Sequence, residues 1–557
     1  MRSFTIIAGL AVCLAACTSG ERTGAAGSAG GTVVVEVNGD AHYLLPTLAE
    51  EETGAAVSEL LFDPLAAMPR NLSTIGDSGW TPMLAKSWTW SPDSLSIAFS
   101  LDPRARWHDG QPVRAADVRF GYLLTADPKT AAHNAPFIGN IDSVSVRDSL
   151  TAVAWFKKRS PSEFFDFVYQ IAIVPEHVYG AIPRDELKKS ETLRKPVGSG
   201  RFRFVRWDPG QRIEVIADTA NYRGRPPLDR VIVAVNSSPT ASAAELLKGT
   251  GDFFYSFPFD QVPKLDSNPN TRGIAFSQLG STFMGMNAHD PKSLSRPHPI
   301  FGDRAVRRAL SMAVDRKAML DNVFGKYGHL AKGPVALEHP SADTSVRIPA
   351  FDLAAAKALL DSAGWRESAP GGTRSKNGRP LRFSLLTPTS SLPRMKYAVL
   401  LQEQLKHAGA DVQIEQVEFP AFMTRNSASN FDAILGGASL DPNLAAAKQY
   451  WASSAIGQEG NNTLRYSNPT VDALLDSAGG ALNPGQARRY AARAYQLIAD
   501  DAPAIWLYDL YPVAAAHRRL QIPYISPLAW WRTIPEWSIP PNARIDRDRI
   551  GLGAAKQ

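Results

Sequence analysis

Short runs in which apolar and polar positions alternate are spread along the chain, and each predicts a strand with one buried face. Residues 33–37 form a β-branched run. Residues 88–101 alternate around a turn at Ser91-Pro92-Asp93, and His108-Asp109-Gly110 is a second tight turn. Residues 201–207 alternate, turn at Asp208-Pro209-Gly210 and resume over 212–218, which predicts a β-hairpin with 231–235 beside it. Apolar positions at helical spacing predict helices over 115–124 and 240–248, the latter stopped by Gly249 and Gly251 before a strand at 252–255. In the second half, Asp303 heads a helix whose apolar face is Val306, Ala309, Leu310, Ala313 and Val314, and Asp352 heads another that stops at Gly364. Strand 381–386, helix 395–407 and strand 412–416 follow in α/β order, and 486–501 is a last long helix.

The N-terminus differs from the rest. Arg2 precedes an apolar run over 4–14, too short to span a bilayer, which needs ~20 residues, but matched to a signal-peptide core. Leu14-Ala15-Ala16-Cys17 is similar to a bacterial lipobox, so 1–17 reads as a lipoprotein signal with Cys17 as the lipidated residue, and 18–32 as a flexible tether. Cys13 and Cys17 are the only cysteines, so the body holds neither a disulfide framework nor a cysteine metal site. No later segment is long and apolar enough to span a membrane. The 557 residues suggest roughly three to four domain-sized units. A hydrophobic fraction of 44% excludes a disordered chain, and a net charge of +6 without a dense basic stripe argues against nucleic-acid binding.

Several segments, in order, resemble the oligopeptide-, dipeptide- and nickel-type solute-binding proteins of ABC importers (solute-binding protein family 5). They are 80–88 (WTPMLAKSW), Trp107-His108-Asp109-Gly110 through Val118, Gly198–Phe202 with Asn221–Gly224, Leu246–Asp252, Asn287, Val306–Leu310 with Ala313–Arg316, and 468–475. The resemblance implies an α/β, two-lobed periplasmic-binding-protein fold (type II, cluster C-like) with an extra subdomain in lobe I. It places lobe I at 33–67, 196–286 and 504–557, the subdomain at 68–195 and lobe II at 287–503. It further implies a monomer without cofactor or resident metal, held to the membrane by lipid. A peptide or peptide-like solute would bind between the lobes and pass to a permease driven by an ATPase subunit. A nickel chelate, a sugar or an opine is the alternative ligand, and an extracytoplasmic sensor the alternative role.

By the same resemblance the ligand-binding residues are Tyr255, Ser256, Asn287, Arg394, Ser439, Asp441 and Trp451. Residues 436–442 (GGASLDP) align with the loop that grips a peptide ammonium in the family, but the gripping aspartate is replaced by Ala438. A buried ammonium without a carboxylate is costly by several kcal/mol. The ligand N-terminus is therefore blocked, or Asp441 or another carboxylate substitutes. Arg394 is either a fork for a ligand carboxylate or a surface arginine. Trp451, with Tyr450, either walls the ligand or belongs to the lobe II core. Trp530, Trp531 and Trp537 read as packing of the C-terminal segment. Gly76-Asp77-Ser78-Gly79 and Thr130-Ala131-Ala132-His133 resemble serine-protease segments, but in reversed order and without supporting cysteines, so no catalysis is expected. His42, His289 and His298 invite a metal reading that spacing alone does not support.

Overall fold

The computed structural model describes residues 29–553 except 368, 445, 458 and 459. The signal segment with Cys17, and the tether as far as residue 28, lie outside the described residues.

Two mixed sheets organise the chain. The first has seven strands in the spatial order Thr271–Ala275, Val513–His517, Phe253–Phe254, Thr32–Val37, Arg230–Val235, Arg212–Ala217, Phe202–Asp208. Its centre is Thr32–Val37, parallel to both Arg230–Val235 and Phe253–Phe254. The expected hairpin is present, with Gly210 at φ 70° in its turn. The second sheet has six strands: Gly328–Leu330, Ala504–Leu510, Gly280–Met286, Ala433–Ser439, Arg382–Pro388, Asp411–Val417. Its last two strands are parallel and joined by helix Leu392–His407, the expected strand-helix-strand unit.

Alternation along the strands decides the packing. In the first sheet Phe253, Ala514 and Ala516 enter one core while Phe254, Val513 and Ala515 enter the core on the opposite face. In the second, Met284, Leu385 and Leu435 face one way and Phe283, Leu386 and Ile434 the other. A four-stranded antiparallel sheet over Ala85–Trp90, Ser96–Leu101, Thr151–Phe156 and Ile141–Asp148 forms the subdomain. Its Phe99, Phe164 and Phe167 pack in the same core as Val33 and Val35, so it is continuous with the first sheet.

Helix starts follow the sequence signals. Asp303 and Asp352 accept hydrogen bonds from backbone N–H groups in the first turns of their helices, while the helix expected from 395 starts earlier, at Leu392, capped by Ser391. Helix Pro239–Lys248 ends on Gly249 at φ 86°, a left-handed stop that glycine makes without strain.

Two expected boundaries shift. Gly280–Met286 is hydrogen-bonded on both sides within the second sheet, so the chain has crossed before Gly280, not at Asn287. Ala504–Leu510 also belongs to that sheet, and the return crossing is Tyr511-Pro512, because Val513–His517 pairs in the first sheet. Residues 436–439, expected as loop, are the end of strand Ala433–Ser439. The run of small residues hid the strand. Gly437 is needed there because a Cβ would sit 2.8 Å from the Ser281 carbonyl oxygen.

Candidate functional site

In open α/β sheets the parallel strands point their C-terminal ends toward the ligand crevice. Here a cavity of about 1130 Å³ opens beyond the end of Ala433–Ser439. From the first lobe it is walled by helix Glu52–Leu61, the subdomain residues Trp80, His133, Asn134 and Tyr169, and the C-terminal segment around Trp531 and Arg532. Ser439, Leu440 and Asp441 close it from the second lobe, and the crossing residues Gln278 to Gly280 line it too.

Most charges in this wall are already matched. Arg532 Nε meets Glu59 Oε2 at 2.9 Å, and its guanidinium lies 5.4 Å from the Tyr169 ring centroid. Arg223 Nε donates to Asp63 Oδ2 at 3.0 Å, and Tyr222 OH donates to the same oxygen at 2.9 Å. Arg70 sits 3.8 Å from Glu536 and over the Tyr524 ring. Glu52 is held by the Tyr255 hydroxyl and the Trp530 indole, and burial raises its carboxyl above the usual range against those two donors. Asp441 is the exception. Its half-buried carboxylate accepts no hydrogen bond among the described residues, and burial pushes its pKa up, with His133 pulling it down. The raised phenol of Tyr450 also feels this charge, after its own burial.

Of the seven residues expected to bind ligand, Ser439 and Asp441 line the cavity. Tyr255 stands behind the wall, stacked on Trp530 and holding Glu52 through a 2.5 Å hydrogen bond. Ser256 is exposed and outside the lining. Asn287 is fully buried at the far end of its strand, where its amide donates to the carbonyls of Ser429 and Phe431 and accepts from His289 N. It braces a turn. Arg394 lies at the start of its helix beside Gly437 and is not part of the lining. Trp451 is 1% exposed, packed on Phe283, Trp506 and Tyr466, with its indole N–H on Pro334 O, which makes it core.

Other lining residues escaped the sequence reading. Trp530 and Trp537 do pack on Phe253 as expected, but Trp531 lines the cavity with a buried indole N–H that has no partner among the described residues. Trp80 is the same: 7% exposed, lining the cavity, its N–H unpartnered among the described residues. Aromatic residues within Pro-rich segments were the available signal. In the protease-like segment, Asp77 Oδ2 accepts from both Trp88 and Trp90 Nε1 and so fixes a turn, while His133 lines the cavity wall.

The family model described as bacterial extracellular solute-binding proteins, family 5 Middle, matches residues 79–459. The oligopeptide-binding protein AppA of Bacillus subtilis is 26% identical over 520 residues, covering 90% of this chain and 91% of that protein. Protein XP55 of Streptomyces lividans is 28% identical over 474 residues, covering 84% and 82%. The structure of B. subtilis AppA in complex with a nonapeptide superposes with a TM-score of 0.74 at 25% identity, covering 92% of this chain and 99% of that one. NikZ from Campylobacter jejuni in complex with Ni(L-His) shares the fold, with a TM-score of 0.76 at 24% identity and coverage of 91% and 99%.

Proposed function

The chain belongs to the family 5 bacterial extracellular solute-binding proteins, and from that premise we propose that it is the lipid-anchored peptide receptor of an ABC importer, without catalysis of its own. Asp441 supports this reading most. It is a carboxylate in a cleft between two lobes with no donor among the described residues, three residues beyond Ala438, where the sequence pattern loses its aspartate. A peptide ammonium supplies the missing donors and the counter-charge. The unpartnered N–H groups of Trp80 and Trp531 offer donors to peptide carbonyls along the same wall. The cavity volume of about 1130 Å³ exceeds the ~300–1,000 Å³ usual for small-molecule sites, which favours an oligopeptide over a single metal chelate.

Closure around the ligand then follows from the two crossings at 276–279 and 511–512, which are the short segments that a hinge between two rigid sheets requires. Cys17 carries the lipid, the tether lets a monomeric receptor reach the permease, and the ATPase subunit drives transport. A thermal-shift screen of the chain lacking residues 1–17 tests this proposal. A ligand at 100 times its Kd stabilises by about 2.7 kcal/mol, so free peptides shift the melting point. If only a nickel chelate, a sugar or an N-blocked peptide does so, the ligand assignment falls.

A further inference from the structure

The second lobe contains a separate cavity of about 350 Å³. It lies against Met286 and Pro503, at the end of the sheet remote from the cleft, since the paired strands reach the crossings at Gly280 and Leu510. Two guanidinium groups line it. Arg307, in helix Arg304–Met312, is only 9% exposed. Its Nε donates to the Asp501 backbone carbonyl at 3.0 Å and its Nη1 to the Phe301 carbonyl at 2.8 Å, both neutral acceptors. Its Nη2 has no acceptor among the described residues. Burial pushes its pKa down, with the charge of Asp501 opposing.

Arg465 is the second cation. None of its guanidinium nitrogens has an acceptor or ion-pair partner among the described residues, and its Nε is buried. Its backbone is held at φ 54°, an unfavourable left-handed conformation for a side-chain-bearing residue. A turn fixes it there: Arg465 N donates to Asn462 O, and the Asn462 amide donates to the carbonyls of Ala452 and Tyr466. The carboxylate in the lining, Asp501, acts on Arg307 only through its charge and makes no hydrogen bond or ion pair to either guanidinium among the described residues. It pairs with Arg304 at 3.0 Å and accepts from Tyr466 OH and Asn468 Nδ2 at 2.8 Å each.

We propose that this cavity binds a small free oxyanion, a carboxylate or phosphate, gripped by Arg307 Nη2 and the Arg465 guanidinium. Guanidinium forks match the paired oxygens of both groups, and a buried donor left unpaired, as Arg465 Nε is, costs free energy until an acceptor fills the site. The site is independent of the peptide cleft.

Isothermal titration of the chain lacking residues 1–17 with inorganic phosphate, and separately with succinate, at ionic strength fixed by sodium chloride, tests this. One-site saturation by at least one of them is expected, weakened at least ~10-fold in Arg465→Gln, with peptide affinity unchanged in that variant. Arg465→Lys keeps the charge but loses the fork, and weakens binding by a smaller factor. If neither anion saturates below ~10 mM, or if both Arg465 variants bind as the unaltered protein does, the site does not exist.

Discussion

Replacing Asp441 by asparagine removes the one half-buried cleft carboxylate that has no donor among the described residues, and leaves its volume and carbonyl oxygen in place. A hydrogen bond between charged partners contributes about 1.5–3 kcal/mol, so Asp441→Asn should weaken a free peptide about 10- to 150-fold. An N-acetylated peptide has no ammonium to lose and should bind both proteins alike. The pH dependence gives an independent handle. The carboxyl is raised, chiefly by burial, so its contribution to the stability of the empty protein is fully present below its unfolded value of ~3.9 and is lost as pH rises through the folded value. Above that folded value the ionised group therefore costs stability, and there Asp441→Asn should melt no lower than the unaltered protein. A bound ammonium reverses the sign by favouring the charged carboxylate. Peptide affinity should then fall on acidification through the raised pKa, and this slope should vanish in the variant. Calorimetric titration of free and acetylated peptides between pH 5 and 8 reads all three effects. Equal affinity of both proteins for the free peptide, or an equal loss for the acetylated one, would refute the reasoning.

Trp451→Ala should cost about 3–5 kcal/mol in a denaturant titration, as expected for a large core aromatic, whereas unchanged stability would return Trp451 to the cleft wall. Asn287→Ala strands the buried carbonyls of Ser429 and Phe431 and the His289 N–H, a loss of about 1–3 kcal/mol that should appear as a lower denaturation midpoint with peptide affinity intact. Asp166, in helix Glu163–Gln170, is pushed up to about 7 by burial, with Ser162 opposing and Glu163 adding to the rise. Its stabilising contribution is present at low pH and lost as pH rises through about 7. Asp166→Asn should therefore gain in melting temperature relative to the unaltered protein between pH 5 and 8, and parallel curves would contradict the assignment.

The sequence was most legible where local chemistry decides structure. Asp303 and Asp352 at helix starts, Gly249 at a stop and the turn at Gly210 all act within a few residues, and the structure follows them. His108 likewise serves its turn, with Nε2 on Gly200 O and Nδ1 accepting from Gly198 N. The strands Gly280–Met286 and Ala433–Ser439 were not legible, because their few large apolar residues sit side by side among Gly, Ser, Thr and Ala rather than alternating, and both strands owe their state to neighbours on both sides. That error carried into the site: placing the crossing at Asn287 instead of before Gly280 put a buried turn brace into the cleft. Asp441 was found because its loop pattern is local. Trp80, Tyr169 and Trp531 reach the same cavity from elements far apart in sequence, and only tertiary packing reveals that convergence.

Native mass spectrometry of the chain lacking residues 1–17, offered an equimolar mixture of free oligopeptides, their N-acetylated forms, a nickel chelate and a sugar, bears most directly on the central claim. One free oligopeptide retained per protein molecule, in preference to its acetylated form, is the expected spectrum. Retention of the chelate or sugar alone, or of acetylated and free peptides equally, would contradict a cleft that captures peptides by their ammonium.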